Sequence, residues 1–293
     1  MVDWPKLIER RARITRPALP KSDRCVMGEG LFLTEDQVAW VDIAENRLYL
    51  RDRQGGQYFD LDIKATVILS SIDNNLLIAS SGGLGLIDVR TGYYRETVNY
   101  SRLFCSETHR TNDGCKLSDG RYLVATMHES APEKYAGAVF LINSDGTATL
   151  LFDDIHISNT LIELANGNVL ITDSQTGTIF LCQLNVSSKI CKRLVWYQAE
   201  PGVAPDGGCR LSDRHIAVAM WGGACIRIFE EAGVPMADLV VPAKFPTNTK
   251  FSERQAVLWV TSASEGLTEA HLNQYPLLGK TFCIDDPLTT VCS

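Results

Sequence analysis

The segment VLITDSQTGTIFLC, at residues 169–182, contains two short apolar runs separated by a turn signal. The runs VLITD and TIFLC are rich in Ile, Leu, Val, Thr and Phe, and the pair Thr176-Gly177 lies between them. β-Branched and aromatic residues on both sides of a glycine-containing turn are typical of two antiparallel strands. The segment therefore predicts a β-hairpin.

The same arrangement recurs along the chain at nearly regular intervals. The apolar residues at the centre of each first run are Val41, Ile78, Val124, Ile171, Val218 and Val260. Successive members of this set are 37, 46, 47, 47 and 42 residues apart. A period in the forties is a sign of propeller blades, each of about four strands. The sequence therefore predicts an all-β fold, a six-bladed β-propeller; a β-sandwich with accidental strand spacing is the alternative.

Ring closure should involve both ends of the chain. Residues 1–293 are predicted to form a single domain, because propellers reach this length as one unit. The strand-like stretch GKTFCID, at residues 279–285, is expected to close the last blade together with a segment from residues 10 to 25. Residues 1–23 are accordingly interpreted as an N-terminal extension that helps to close that blade.

Composition excludes several classes of partner. A net charge of −7 offers no basic surface for nucleic acid. No stretch approaches the ~20 apolar residues of a membrane span, and the basic N-terminus lacks the apolar core of a secretory signal. We therefore expect a cytoplasmic protein whose partner is a small-molecule substrate, with no nucleic acid and no membrane; the oligomeric state stays open.

The nine cysteines are scattered and form no C-x-x-C pair. Most are expected to be reduced thiols in the core. Cys182 and Cys191 flank a predicted hairpin turn and could pair in an oxidising compartment.

A residue with a side-chain oxygen precedes each of the six apolar positions by twelve residues. These residues are Glu29, Thr66, Asn112, Asn159, Asp206 and Asn248. If the loops entering the innermost strands form one rim of the channel, side chains at equal offsets converge there. Singly, each of these residues is explained as well by a local role in a turn. Together they form an oxygen-only set.

Three of the six are the candidate metal ligands. Glu29, Asn159 and Asp206 lie beside small or turn-forming residues that let the backbone bend toward a ligand. Two carboxylates and an amide carbonyl suit a hard divalent cation. We predict one such ion in the central channel, with Ca²⁺ as the first choice and Zn²⁺, Mg²⁺ or Mn²⁺ as alternatives. Thr66 and Asn248 are expected to support the site without binding the ion.

Arg110 and Asn112 are the candidate substrate-binding residues beside the ion. They are two residues apart and so share one face of an extended strand. Arg110 could grip a polar substrate, or it could make an ordinary surface ion pair. His128 is the one histidine near the predicted rim, and the polar segment 128–134 that it begins is interpreted as a lid or binding loop.

Several short motifs, taken in order, resemble one known family. They are MGEG at 27–30, AWVDI at 39–43, RTNDG at 110–114, GRYLVATM at 120–127, SN at 158–159, ITDS at 171–174, PDGG at 205–208, MWGG at 220–223 and VTSA at 260–263. The family is that of regucalcin (senescence marker protein), gluconolactonase and luciferin-regenerating enzyme. The resemblance implies a six-bladed propeller with a divalent ion at Glu29, Asn159 and Asp206, and substrate contacts at Arg110 and Asn112.

The chain departs from the family pattern at three places. Thr160 follows Asn159 where the family usually has glycine, and Gly208-Cys209 stands where an apolar pair is common. A sugar-contacting glutamate of some members falls on Ser130 by ungapped count, with Glu129 beside it, and Glu129 is taken as a third substrate-binding candidate.

Together these features predict a metal-dependent lactonase. The ion polarises the ring carbonyl while water attacks, and Asp206 serves both as a ligand and as the catalytic base. Two alternatives remain: a phosphotriesterase-like hydrolase of the same fold, and a noncatalytic calcium-binding propeller.

Overall fold

The computed structural model describes residues 8–17, 24–101, 103–104, 106–184 and 190–292. Within these ranges the chain forms six β-sheets, and their innermost strands contact one another in cyclic order around a central channel. The predicted all-β, six-bladed propeller is therefore confirmed. Nothing helical in the described ranges has both the length and the hydropathy needed to cross a membrane.

Two strands precede the first blade: β1 (Ile8–Arg11) and β2 (Ile14–Pro17). Blade 1 contains β3 (Gly28–Leu33), β4 (Val38–Asp42), β5 (Arg47–Arg51) and β6 (Gly56–Asp60). Blade 2 contains β7 (Ala65–Ile72), β8 (Asn75–Ser80), β9 (Gly83–Asp88) and β10 (Tyr94–Asn99). Blade 3 contains β11 (His109–Lys116), β12 (Tyr122–His128), β13 (Gly137–Ile142) and β14 (Ala148–Ile155).

Blade 4 contains β15 (Ser158–Glu163), β16 (Val169–Asp173), β17 (Thr178–Leu184) and β18 (Ile190–Gln198). Blade 5 contains β19 (Ala204–Arg210), β20 (His215–Trp221), β21 (Cys225–Glu230) and β22 (Pro235–Val240). Blade 6 contains β23 (Pro246–Ser252), β24 (Val257–Ser262) and β25 (Phe282–Asp285). The helical pieces are a 3-10 turn (Glu253–Gln255), α1 (Glu269–Gln274) and α2 (Pro287–Cys292).

The N-terminal strands complete the last two blades. β2 is the outer strand of blade 6 and pairs antiparallel with β25, with Ile14 opposite Ile284. β1 adds to blade 5 as a fifth strand, parallel to β22, a pairing that the sequence did not indicate. Ala12 and Ile14 pack against the apolar layer between these blades. The two ends of the chain thus meet in one sheet.

Apolar layers between neighbouring blades form the core. Trp40, Val41 and Ile171 have no exposed surface, as expected for central strands with both faces covered. Cys182 is a buried free thiol opposite Arg193, so it forms no disulfide in the described part of the chain. The side chain of Cys191 lies outside the described residues.

Side-chain hydroxyls on the inner strands join adjacent blades across the channel wall. Thr66 Oγ1 lies 2.6 Å from Thr111 Oγ1, which joins blades 2 and 3. Ser158 Oγ donates to the carbonyl of Thr126 at 2.8 Å, which joins blades 4 and 3. Thr247 Oγ1 donates to the carbonyl of Gly28, which joins blade 6 to blade 1. Each bond satisfies a buried polar group and fixes the relative position of two sheets.

The inner strand of every blade breaks register with its neighbour at a bulge. The breaks lie at Glu29/Phe32, Ala65/Val67, Thr111/Gly114, Asn159/Ile162, Pro205/Gly208 and Pro246/Thr249. All six oxygen-bearing residues therefore lie in strands, at or inside a bulge, and not in the loops that lead into the strands. A bulge bends its strand and re-aims a side chain, which accounts for this placement.

We expect residues 8–17 to be required for ring stability. Deleting residues 1–17 removes β1 and β2. The edge of β25 and the apolar surface that Ile14 covers then become exposed to water. The free energy of unfolding should therefore fall by at least ~2 kcal/mol. Urea denaturation followed by circular dichroism measures this fall. Deleting residues 1–7 alone is the control, and equal stability of the two deletions would contradict the closure described here.

Candidate metal centre

A cavity of about 330 Å³ opens at the end of the channel where the inner strands begin. The three predicted ligands and two predicted substrate-binding residues all line it: Glu29, Arg110, Asn112, Asn159 and Asp206. Blades 1, 3, 4 and 5 each supply at least one of these side chains from the inner strand. The cavity thus brings together residues that are up to 177 positions apart in the sequence.

A chain of hydrogen bonds fixes the amides on one side of the cavity. Arg110 Nη1 donates to Asn112 Oδ1 at 2.6 Å, and Asn112 Nδ2 donates to Asn159 Oδ1 at 3.0 Å. Asn159 Nδ2 donates to Ser174 Oγ at 3.0 Å, and this hydroxyl donates to the carbonyl of Pro205 at 2.6 Å. The bonds orient Asn159 with its oxygen toward Asn112, and they link blades 3, 4 and 5.

On the other side, Asn248 connects Asp206 to Glu29. Asn248 Nδ2 donates to Glu29 Oε2 at 3.2 Å. Gly207 lies so close to Asn248 that a Cβ on Gly207 would be 2.5 Å from Cγ of Asn248. Only glycine allows this approach. The close packing of Gly207 on Asn248 therefore places Asp206, the preceding residue, next to blade 6. Asn248 thus contacts Glu29 and lies against Gly207.

Each carboxylate in the channel is followed by a glycine whose backbone amide contacts it. Gly30 N donates to Glu29 Oε2 at 3.1 Å, and Gly114 N donates to Asp113 Oδ1 at 2.8 Å. The amide of Gly207 interacts in the same way with the carboxylate of Asp206. A backbone N–H favours the ionised form of a carboxylate. In all three cases this hydrogen bond lowers the pKa of the carboxyl group and so partly opposes the rise that burial causes.

Burial is the main cause of the raised pKa values of the three carboxyl groups, and neighbouring carboxylates add to it at Glu29 and Asp206. Burial raises the pKa of Glu29 to about 8, with the charge of Asp113 as the second cause. Burial also raises the pKa of Asp206 well above its usual range, and the charges of Glu29 and Asp113 add to the rise. For Asp113, burial raises the pKa, and the charge of Lys250 opposes this effect. Nearby positive charge would favour the ionised forms.

Two buried oxygen atoms at this site have no hydrogen-bond partner among the residues that the structure describes: Asp206 Oδ1 and Asn248 Oδ1. Buried polar atoms normally have partners, so such atoms call for an explanation. Among the described residues, no group of three or more His, Cys, Asp or Glu side chains could hold a metal ion. Any ion here must therefore depend on an amide oxygen in addition to Glu29 and Asp206, and Asn159 supplies one. This oxygen donor set fits a hard cation.

Thr160 holds an unusual backbone conformation next to Asn159. Its φ is +50°, in the left-handed region, which is rare for a β-branched residue. Its hydroxyl donates to the carbonyl oxygen of Asp206 in the next blade. Thr160 therefore holds a conformation that glycine adopts more readily, and its hydroxyl makes a bond that glycine could not make.

Glu129 is the one predicted site residue that does not line the cavity. It is exposed and forms an ion pair with Lys64, although its charge still acts on Arg110. His128 is buried at the end of β12, with its ring 4.9 Å from that of His109 across the strand pair. His109 therefore lies beside the rim as well, a position that the sequence pattern did not indicate.

Sequence reasoning also missed Asp113, Ser174 and Trp221. Asp113 follows Asn112 and, in a regular strand, would face away from it; the bulge between Thr111 and Gly114 breaks that alternation. The sequence did contain a sign that Asp113 belongs to the channel: Asp113 is followed by a glycine, as are Glu29 and Asp206. Trp221 lines the cavity from the end of β20.

Comparison with known proteins gives a consistent result. The model of the family described as SMP-30/Gluconolactonase/LRE-like region matches residues 27–264. Regucalcin of Gallus gallus is 29% identical over 185 residues, which are 60% of this chain and 62% of that protein. The chain thus matches less than two thirds of the length of this curated relative.

Two solved structures share the fold. A calcium-binding protein, regucalcin, from Agrobacterium tumefaciens has a TM-score of 0.83 at 24% identity, with 96% of this chain and 95% of that chain covered. A luciferin-regenerating enzyme has a TM-score of 0.82 at 18% identity, with 93% and 95% covered.

Without a bound cation, stability should fall as pH rises. The folded pKa of Glu29, about 8, exceeds its ordinary value of 4.5, so the protonated form favours folding. That contribution is complete below pH 4.5 and is lost as pH rises through 8. Urea unfolding in chelator at pH 5, 7 and 9 should therefore show a smaller decline for Glu29→Gln than for the wild type. Parallel declines in the two proteins would contradict the assignment.

Cation binding should depend on both carboxylates. Glu29→Gln and Asp206→Asn each remove one charged ligand with little change in shape, and each should weaken Ca²⁺ binding by at least about 10-fold. Isothermal titration calorimetry on chelator-treated protein measures the affinity. Asp213→Asn, at an exposed carboxylate in another part of blade 5, is the matched control. Unchanged affinity in both site variants would exclude this ligand set.

Proposed function

The chain belongs to the SMP-30/gluconolactonase/LRE-like family, and we propose that it is a metal-dependent hydrolase that acts on a lactone. One observation carries the proposal: the partnerless, buried Oδ1 of Asp206 lines the same cavity as Glu29, Asn159 and Arg110. A cavity with a few convergent polar groups and shifted pKa values is the usual form of an active site. The family name supports a lactone as the substrate.

Glu29, Asn159 and Asp206 would hold the cation. Their oxygen-only set favours Ca²⁺, with Mg²⁺, Mn²⁺ and Zn²⁺ as alternatives. When bound, a divalent cation supplies Lewis acidity that polarises a carbonyl oxygen and stabilises the negative charge that develops on it. It also explains how three acidic groups can share one channel, since positive charge lowers the pKa of each carboxyl.

Asp206 is the proposed catalytic base. Hydrolysis adds the oxygen of water to the lactone carbonyl carbon and breaks the ring C–O bond, which gives a hydroxy acid. The water gives up a proton in the first step, and the departing ring oxygen needs one in the second. Asp206 Oδ1 has no competing hydrogen bond, so it can accept the first proton and return it to the ring oxygen.

Arg110 and Asn112 are the proposed substrate-orienting residues. Arg110 Nη1 donates to Asn112 Oδ1 and to the carbonyl of Thr111, at 2.6 and 2.9 Å. These bonds fix the guanidinium at the cavity wall and leave further N–H donors of its fork for a substrate oxygen. A group held in advance loses little entropy when it binds, and orients the ester for attack. Glu129 would act on the substrate only through its charge near Arg110.

A noncatalytic calcium-binding role is the second candidate. The Agrobacterium regucalcin that shares this fold is described as a calcium-binding protein. The same ligands would serve that role, so cation binding alone does not separate the two candidates. Catalysis does, because it needs proton transfer by Asp206 and the orienting arginine in addition to cation binding.

Hydrolysis should therefore require Asp206 and Arg110 for different reasons. Asp206→Asn should lower kcat by about 100-fold or more at saturating cation, because the base is lost. Arg110→Ala should mainly raise KM, because an orienting contact is lost. A pH-stat assay on a panel of lactones, with organophosphate triesters included, measures both constants. Ca²⁺ binding with no turnover of any compound would favour the noncatalytic role, and turnover of the triesters alone would favour a phosphotriesterase.

A further inference from the structure

The wall of the cavity differs in chemistry from its polar floor. Besides the polar residues, six apolar residues line the cavity: Met27, Ile43, Met127, Ile157, Ala204 and Trp221. Three of them lie in strands of blades 3 and 5, Met27 and Ile157 precede the inner strands of blades 1 and 4, and Ile43 follows β4. An apolar surface therefore encloses whatever part of a substrate extends away from the ester group.

Backbone pairing fixes this wall beside the reactive groups. Met127 lies directly opposite Arg110 in the β11–β12 register, and it also forms a bridge with Ile157. Trp221 lies opposite Ala204, one residue before the Pro205-Asp206 pair. The ring of Trp221 packs on that of Phe245, with centroids 4.6 Å apart. The wall is thus a built part of the site.

The two asparagine amides of the cavity are already committed to neighbouring groups. Asn112 Nδ2 donates to Ser158 O and to Asn159 Oδ1, both at 3.0 Å, and Asn112 Oδ1 accepts from Arg110. Asn159 Nδ2 donates to Ser174. Glu129 is paired with Lys64. Two polar side chains of the lining can still reach a ligand: Arg110, through its remaining N–H donors, and Gln175, which is exposed. The six apolar residues offer no partner to further hydroxyls of a sugar lactone, and burying hydroxyls without partners is unfavourable.

We propose that the substrate is a lactone with an alkyl substituent. The inference rests on the function proposed above and names its substrate class. The ester carbonyl lies over Glu29, Asn159 and Asp206, with the alkyl chain against Met127, Ile157 and Trp221. Hydrolysis adds one water and breaks the ring C–O bond, and the product is a hydroxy acid with an apolar tail. Each buried methylene of the chain favours binding by about fourfold.

The test compares three lactones with the same six-membered ring: δ-valerolactone, δ-decalactone with its pentyl chain, and glucono-δ-lactone. Cation-loaded enzyme should show kcat/KM for δ-decalactone at least 10-fold above that for δ-valerolactone, and further above that for glucono-δ-lactone after correction for spontaneous hydrolysis. Trp221→Ala should lower kcat/KM for δ-decalactone at least fivefold more than for δ-valerolactone. Tyr58→Ala, at an exposed aromatic residue on the outer strand of blade 1, is the matched control and should leave all three values unchanged.

Two negative results have different meanings. Preference for glucono-δ-lactone, or an equal loss for both other lactones in Trp221→Ala, overturns the alkyl assignment and leaves the lactonase function in place. No turnover of any of the three by enzyme with measured, bound cation overturns the proposed function, and the assignment with it.

Discussion

The break in register of each inner strand is the constraint on which this site depends. A regular strand would alternate its side chains between the two neighbouring blades and leave the channel to backbone. Asn112, Asp206 and Asn248 lie inside the bulges and have no paired residue on the neighbouring strand. Glu29 and Asn159 are still paired, and the bulge begins directly after each of them. Six such breaks around one axis bring oxygen atoms from distant parts of the chain into one place. The hydroxyl bonds between blades then hold these positions in register with each other.

Concentrated negative charge is the cost of that arrangement. Burial raises the pKa values of Glu29, Asp113 and Asp206. The charge of Asp113 raises those of Glu29 and Asp206 further, while Lys250 lowers that of Asp113 and the following glycine amides lower all three. Arg110 shares the site and its positive charge lowers the pKa values of Glu29 and Asp206, but burial and the neighbouring carboxylates still leave both values raised. Sites of this kind are commonly functional. The strained φ of +50° at Thr160 is a second local cost at the same place. Both features are easier to explain by ligand binding than by folding.

The sequence predicted the architecture and most of the candidate site for a clear physical reason. In a propeller the hairpin spacing is nearly constant, so a residue twelve positions before an apolar anchor lies at the inner-strand bulge in every blade, and four of the six residues line the cavity. Glu29 is directly paired with Val41. Sequence reasoning failed at Asp113, because the alternation of a regular strand places it on the face opposite Asn112. The bulge between Thr111 and Gly114 breaks that alternation, and the repeated carboxylate-glycine pair was the one sign of it. The pairing of Glu129 with Lys64 and the parallel addition of β1 to blade 5 depend on contacts between distant segments, which spacing alone does not report.

The central claim is that Glu29, Asn159 and Asp206 bind one divalent cation at the mouth of the channel. Anomalous diffraction from crystals soaked in Mn²⁺ tests it most directly, because the signal locates the ion independently of any activity. The account predicts a single strong peak within about 2.0 to 2.6 Å of one oxygen from each of the three side chains. A peak elsewhere, or none in the channel at saturating Mn²⁺, would contradict it.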